Sequence, residues 1–197
     1  MNNGERGSSL IEVMGLLAIA GMIAVTLMGG ISSVTGRMKI TQAENQVSRI
    51  VKNMQIGFSA DVPELTANNS AKKLFQAGVY SEADVSIDGE NYSGVNVYGS
   101  PMTIVSGYRN GYPYFDLTYS DLPARVCSDL AQANFGDDPS SGLKSITITN
   151  EDNQTTVFEW DKPDSDPHPP HKLPPSLPES MASCKGSANN ITWSFYL

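Results

Sequence analysis

The sequence predicts an α+β fold in which one long N-terminal helix packs on an antiparallel β-sheet. Two observations carry this reading. An apolar run that begins at Leu10 passes without a break into a segment whose apolar residues recur at helical spacing. Well after that segment come short runs of β-branched and aromatic residues, separated by Gly, Ser and Asn. A helix buried along one stripe and a sheet buried on one face can cover each other.

The chain has 197 residues, enough for one domain with a real core and an appendage. Its net charge of -8 and pI near 4.6 argue against nucleic-acid binding, because phosphate recognition requires a basic surface. An acidic surface favours solubility and does not by itself identify a partner. The two cysteines, Cys127 and Cys184, can join in an exported protein and stay reduced in the cytosol, so the compartment decides their state.

The first helical half bears on the compartment. From Val13 to Ile31 the only clearly polar residue is Thr26, and about 19 residues of this kind approach the ~20 needed to cross a bilayer as a helix. A buried core helix of that length would carry a polar stripe. A plain secretory signal peptide fits poorly: Arg6 is offset by Glu5, and no small-x-small cleavage pattern follows an apolar stretch of ordinary length. Glu12 lies just inside the run. An ionised side chain deep in hydrocarbon costs roughly 2.5–3.5 kcal/mol. Either Glu12 reaches water at the interface, or it pairs with a positive charge brought by another molecule. Gly15, Gly21, Gly29 and Gly30 interrupt this half; they allow close helix packing, or the Gly29–Gly30 pair lets the helix loosen locally.

The second helical half is amphipathic. Val34, Met38, Ala43, Val47, Ile50, Val51, Met54 and Phe58 form an apolar stripe, with Arg37, Lys39, Glu44, Arg49 and Lys52 mostly between them. Residues 8 to about 57 would make a rod of roughly 75 Å, ended by Gly57 and Pro63. A short helix is expected from Ser70 to Tyr80 with Ser70 as N-cap. Strands are expected at "VNVY", "MTIVS" and "YPYFDLTY". The segment "SDLPARVCSDLAQA" reads as a helix carrying Cys127, with Ser120 as its cap and Asp121 and Pro123 in its first turn. The strands "LKSITITN", "TTVFEW" and "ITWSFYL" follow.

Between the cysteines, "DKPDSDPHPPHKLPPSLPES" holds seven of the 12 prolines, which rules out a regular helix or a central strand over its whole length. It is expected to be an exposed, extended loop of polyproline character, suited to outward display. His168 and His171 lie on it without a matched third ligand, so no metal site is expected. Asp137, Asp138, Asp164 and Asp166 occupy Pro/Gly/Ser loops and read as solvated carboxylates. No nucleophile elbow, phosphate loop or zinc-protease motif is present, so the sequence suggests neither an enzyme nor a cofactor.

The N-terminal stretch "G-S-S-L-I-E-V", led by Gly7, resembles the processing site of type IV prepilins. The resemblance implies cleavage between Gly7 and Ser8 by a prepilin peptidase, methylation of the new amine of Ser8, and a role for Glu12 in assembly. Its carboxylate would pair with the N-terminal amine of a neighbouring subunit, a favoured arrangement for opposite charges in a low-dielectric core. Ser8 replaces the Phe or Met usual at the first mature position, and Gly29 stands where many type IVa pilins carry Pro. With Cys127 on a helix of the second half and Cys184 just before the C-terminal strand, the chain looks most like the type IVb group of bundle-forming, toxin-coregulated and conjugative thin pilus subunits. That likeness implies a Cys127–Cys184 disulfide and the type IV pilin fold.

The implied organisation is a leader at 1–7, an apolar transmembrane and assembly helix at 8–32, the amphipathic half of the helix at 33–60, and a globular domain at 61–197 whose disulfide region spans 127–184. The implied life of the protein begins in the inner membrane with the C-terminal domain in the periplasm. It then passes through an assembly platform and its ATPase into a helical homopolymer on the cell surface, used for adhesion, aggregation or conjugative contact. A minor pilin or a secretion pseudopilin shares the same N-terminus. A membrane-tethered binding or enzymatic domain would show neither trimming at Gly7 nor filaments.

Overall fold

The computed structural model describes residues 36–58, 62–135, 142–159 and 173–197. The expected leader and apolar helix, with Gly7, Ser8 and Glu12, lie outside the described residues, as do His168, His171, Asp137, Asp138, Asp164 and Asp166. The chain divides into two compact units, Met1–Lys39 and Ile40–Leu197, and the sheet and core belong to the second. Among the described residues, no helix is long and apolar enough to cross a membrane.

Helix α1 is described over 36–58. From Ile40 onward it buries Ala43, Val47, Ile50, Val51 and Met54, the i, i+4, i+7 stripe the sequence carries. Helix α2, Ser70–Gln76, is shorter than the expected Ser70–Tyr80, and Asn69 rather than Ser70 holds the N-cap position. The helix stops because Gly78 takes φ 74°. Gly78 N then donates to Phe75 O and Val79 N to Leu74 O, the paired bonds of a Schellman ending.

A 3-10 turn, Glu82–Asp84, leads into a hairpin of β1, Val85–Asp88, and β2, Asn91–Gly94. The strand expected at "VNVY" therefore falls too late. Val95 makes only an isolated bridge to Pro101, because the Asn96 side chain accepts from Tyr98 N (2.9 Å) and Ser100 N (3.2 Å) and folds the chain into a turn.

The main sheet is wholly antiparallel, in the order β3-β4-β7-β5-β6. Its strands are β3 (Met102–Arg109), β4 (Tyr112–Leu122), β5 (Leu143–Thr149), β6 (Thr155–Glu159) and β7 (Asn189–Tyr196). Asn110 and Gly111 both have positive φ at the β3–β4 turn, as an Asn-Gly hairpin requires. The inner face buries alternate residues of each strand. Trp193 on β7 meets Tyr119 and Phe135 edge-on, each at 5.4 Å, and Phe115 stacks on Phe195 at 5.1 Å.

Two further expectations are corrected. Ser120 and Asp121 do not start a helix: β4 runs on to Leu122, which pairs with Asn189, and Asp121 takes φ 55° where the register slips. Helix α3, Ala124–Ala131, begins one residue after Pro123. The proline-rich stretch is not a loop throughout, since its end forms helix α4, Leu177–Ser183. Ser176 caps it, with Ser176 N donating to Glu179 Oε2 at 2.8 Å, and Pro178 occupies the first turn, where its missing N–H costs nothing.

Cys127 on α3 and Cys184 just past α4 are joined by a disulfide, with Cα atoms 5.8 Å apart and a sequence separation of 57. Closing a loop of that length restricts the unfolded chain by about 4 kcal/mol. Replacing both cysteines by Ala is expected to lower unfolding stability by about 4 kcal/mol, read from urea unfolding as a lower midpoint with a steeper slope, because the unbridged denatured chain exposes more surface.

Candidate functional site

The candidate site is the machinery that fixes surfaces in place. One part of it is polar and was not anticipated. Gln46 lies on the apolar face of α1, yet every polar group of its amide is used. Its Nε2 donates to Asp84 Oδ1 (2.7 Å) and Val95 O (3.2 Å), and its Oε1 accepts from Val97 N (3.2 Å) and from the hydroxyl of Tyr119. One turn along, Arg49 grips both oxygens of Asp84 at 2.7 and 2.8 Å and donates to Val79 O at 3.5 Å. Asp84 also accepts from Ser81 N and Ser81 Oγ, both at 2.6 Å. The cluster thus ties α1 to the 79–97 segment and to β4.

Asp84 is 1 % exposed, and that burial alone would raise its pKa. Hydrogen bonds from Ser81, Gln46 and Arg49 outweigh the burial and hold its carboxyl below the usual range. Burial, with a smaller contribution from the charge of Asp84, pushes the Tyr80 and Tyr119 hydroxyls well above the usual tyrosine value. At neutral pH the carboxylate is charged and both phenols are protonated, so the cluster acts as a fixed clamp and moves no proton. Two signals in the sequence could have revealed it: Gln46 and Arg49 stand at i and i+3 beside an apolar stripe, and Ser81-x-x-Asp84 has the spacing of a capping box.

The other part is the disulfide region. Helices α3 and α4 lie side by side, with the Ser128 and Ser180 hydroxyls 2.9 Å apart. Asn189 Nδ2 donates to Leu122 O at 2.9 Å, and Asn189 Oδ1 accepts from Lys185 N at 2.9 Å, which fixes how the chain leaves Cys184 and enters β7. Between the helices a groove of about 350 Å³ is lined by Ala124, Arg125, Leu177 and Met181, with Leu177 and Met181 largely exposed. A larger cleft, about 770 Å³, lies between α2 and β2 and is lined by Lys72, Lys73, Glu90 and Tyr92. Of the residues singled out from the sequence, Cys127 and Cys184 are brought together, while Gly7, Ser8 and Glu12 fall outside the described residues.

No family model and no curated protein matches the chain. Solved structures do. The type IVb pilin of Salmonella typhi matches with a TM-score of 0.51 at 15% identity, over 79% of this chain and 96% of that one. TcpA, a type IV pilin of Vibrio cholerae El Tor biotype, matches with a TM-score of 0.53 at 16% identity, over 80% of this chain and 98% of that one. The fold is that of a type IVb pilin. At such low identity the likeness is one of architecture alone. Within this type IVb pilin fold, the Gln46–Arg49–Asp84 clamp holds the helix to the 79–97 segment.

The clamp sets a pH dependence. A carboxyl held below its usual value stabilises the fold fully above the ordinary carboxylate pKa, and the contribution is lost as pH falls through the folded value. Asp84→Asn is expected to cost about 2 kcal/mol at pH 7, typical of hydrogen bonds to a charged group, and to flatten the acid side of the stability–pH curve. Urea unfolding of both proteins between neutral and acid pH checks this.

Proposed function

We propose that the protein is a structural subunit that polymerises into a type IVb pilus. The observation that carries this reading is the type IVb pilin fold, spanning 96% and 98% of the two solved pilins. The N-terminal residues support it. Gly7 and Ser8 would mark the peptidase cut and the methylated terminus, and the apolar run at 8–32 would anchor the subunit in the inner membrane before assembly. In the filament the apolar helices would bundle in the core. There Glu12 would pair with the amine of a neighbour, because an isolated charge is costly and a paired one is not. The globular domains would form the surface, where the exposed Leu177 and Met181 of α4 and the cleft beside α2 are available for contact between subunits. The assembly platform and ATPase would supply the work of extraction, and the finished fibre would serve adhesion, aggregation or conjugative contact.

The N-terminal peptide of the mature protein is expected to begin at Ser8 and to weigh about 14 Da more than the unmodified sequence, for one methyl group. A peptide that begins at Met1 overturns the processing step. Glu12→Ala is expected to leave insertion and cleavage intact and to abolish sheared surface filaments. Filament yield equal to that of the unmodified chain would remove Glu12 from assembly.

A further inference from the structure

The face of the sheet turned away from the core carries mostly hydroxyls and rings, with Val105, Asp116 and Val157 among them. Thr103, Thr118, Thr192 and Thr147 stand in register across β3, β4, β7 and β5, and the hydroxyls of Thr118 and Thr192 are 2.8 Å apart. Toward the start of β4 stand Tyr114 and Tyr112, with Tyr196 of β7 opposite Tyr114. The rings of Tyr112 and Tyr196 meet at 61° with centroids 6.1 Å apart, and Tyr112 is 66% exposed. Together they make an aromatic corner that is open on one side.

The backbone beside this corner departs from a regular ladder. The β5–β7 register slips between Leu143 and Ser145, which leaves Lys144 as the extra residue of a bulge. A bulge re-aims a side chain, and here it brings the Lys144 ammonium to 5.7 Å from the centre of the Tyr196 ring. Gly142 takes φ 81°, and a Cβ there would lie 2.7 Å from Tyr196 O. Tyr196 N donates to Gly142 O at 2.8 Å. Among the described residues Lys144 makes no ion pair. Arg109, the other cation at this end, is engaged: its guanidinium covers Tyr114 at 4.2 Å and reaches Asp116 at 3.3 Å.

Lys144, without an ion pair among the described residues, stands at the rim of the exposed Tyr112 ring and the half-buried Tyr196 ring, and complements a ligand with a flat apolar face and a carboxylate. We propose that Tyr112, Tyr196 and Lys144 form a binding site for a carboxylated pyranose, the repeating unit of an acidic polysaccharide. The C–H face of the sugar lies on the tyrosine rings and the carboxylate pairs with Lys144. Tyr112 is presented by the Asn110–Gly111 turn and Lys144 by the bulge, so both rest on rigid strand ends and the site is formed before the ligand arrives.

The test is calorimetric titration of the full chain, held in an uncharged detergent without sugar headgroups. Three probes are used: a galacturonate oligomer, a neutral galactose oligomer and polyaspartate. The galacturonate oligomer is expected to bind saturably and to weaken as salt is raised. Tyr112→Ala and Lys144→Gln are each expected to weaken it about tenfold, a change of about 1.4 kcal/mol, and Lys144→Arg to retain it. No binding of galacturonate, equal binding of the neutral oligomer, or unchanged binding by Tyr112→Ala and Lys144→Gln would overturn the site. Stronger binding of polyaspartate would overturn the sugar assignment in favour of an acidic peptide. The proposal does not rest on the pilus reading, and its failure would leave the N-terminal peptide mass unaffected.

Discussion

The placement of β7 is the constraint on which the rest of the structure depends. The hairpins β3–β4 and β5–β6 are each local, but they join into one sheet only because β7 lies between β4 and β5. The β4–β7 pairing is far from local: the hydrogen bond between the Thr118 and Thr192 hydroxyls spans 74 positions. Bringing such distant segments together costs loop-closure entropy before any ladder bond is gained. The Cys127–Cys184 disulfide reduces that cost, because it fixes the start of the 185–188 connection next to α3, which follows directly from β4. Asn189 then sets the entry point by bonding to Leu122 O. The bridge and the asparagine act on the same problem, which is to deliver β7 in register to a gap between two preformed edges.

Register matters here because the two faces of β7 differ. Ile191, Trp193 and Phe195 face the core, while Thr192 and Tyr196 face outward. A slip of one residue would exchange these sets. Trp193, fully buried between Tyr119 and Phe135, makes that exchange prohibitively costly. The same alternation that secures the core also fixes which hydroxyls and rings are presented outside.

Much of this was legible in the sequence. The α1 stripe, the strands at 102–109, 112–119, 143–149 and 155–159, and the C-terminal strand follow from periodicity, because each element buries one regular face. Features that depend on side-chain-to-backbone bonds were harder to read. Asn96 turned an expected strand into a turn, and Gly78 ended α2 early. Helix α4 was hidden by the prolines around it, although its Ser176-x-x-Glu179 box was present in the sequence. The boundary between β4 and α3 was misplaced because Ser120 and Pro123 resemble a helix start. Only the long-range pairing of Leu122 with Asn189 shows that the strand continues past Ser120.

The clamp at Asp84 could not be read from periodicity, because its members lie on three separate segments and become partners only in the folded chain. Its chemistry explains why a polar cluster is tolerable in this core. Gln46 on α1 satisfies all its donors and acceptors, and Asp84 trades its hydration for five hydrogen bonds within 2.8 Å. An apolar contact at the same place would hold α1 and the 79–97 segment together without fixing their relative rotation or height, since such contacts are non-directional. A bidentate Arg–carboxylate pair combined with a fully used amide fixes both. On the proposed reading, forces on a filament would act along the helix while contacts with other surfaces are made by the sheet and the disulfide region. A directional lock between α1 and the segments beside it is what would carry position from one to the other without slippage.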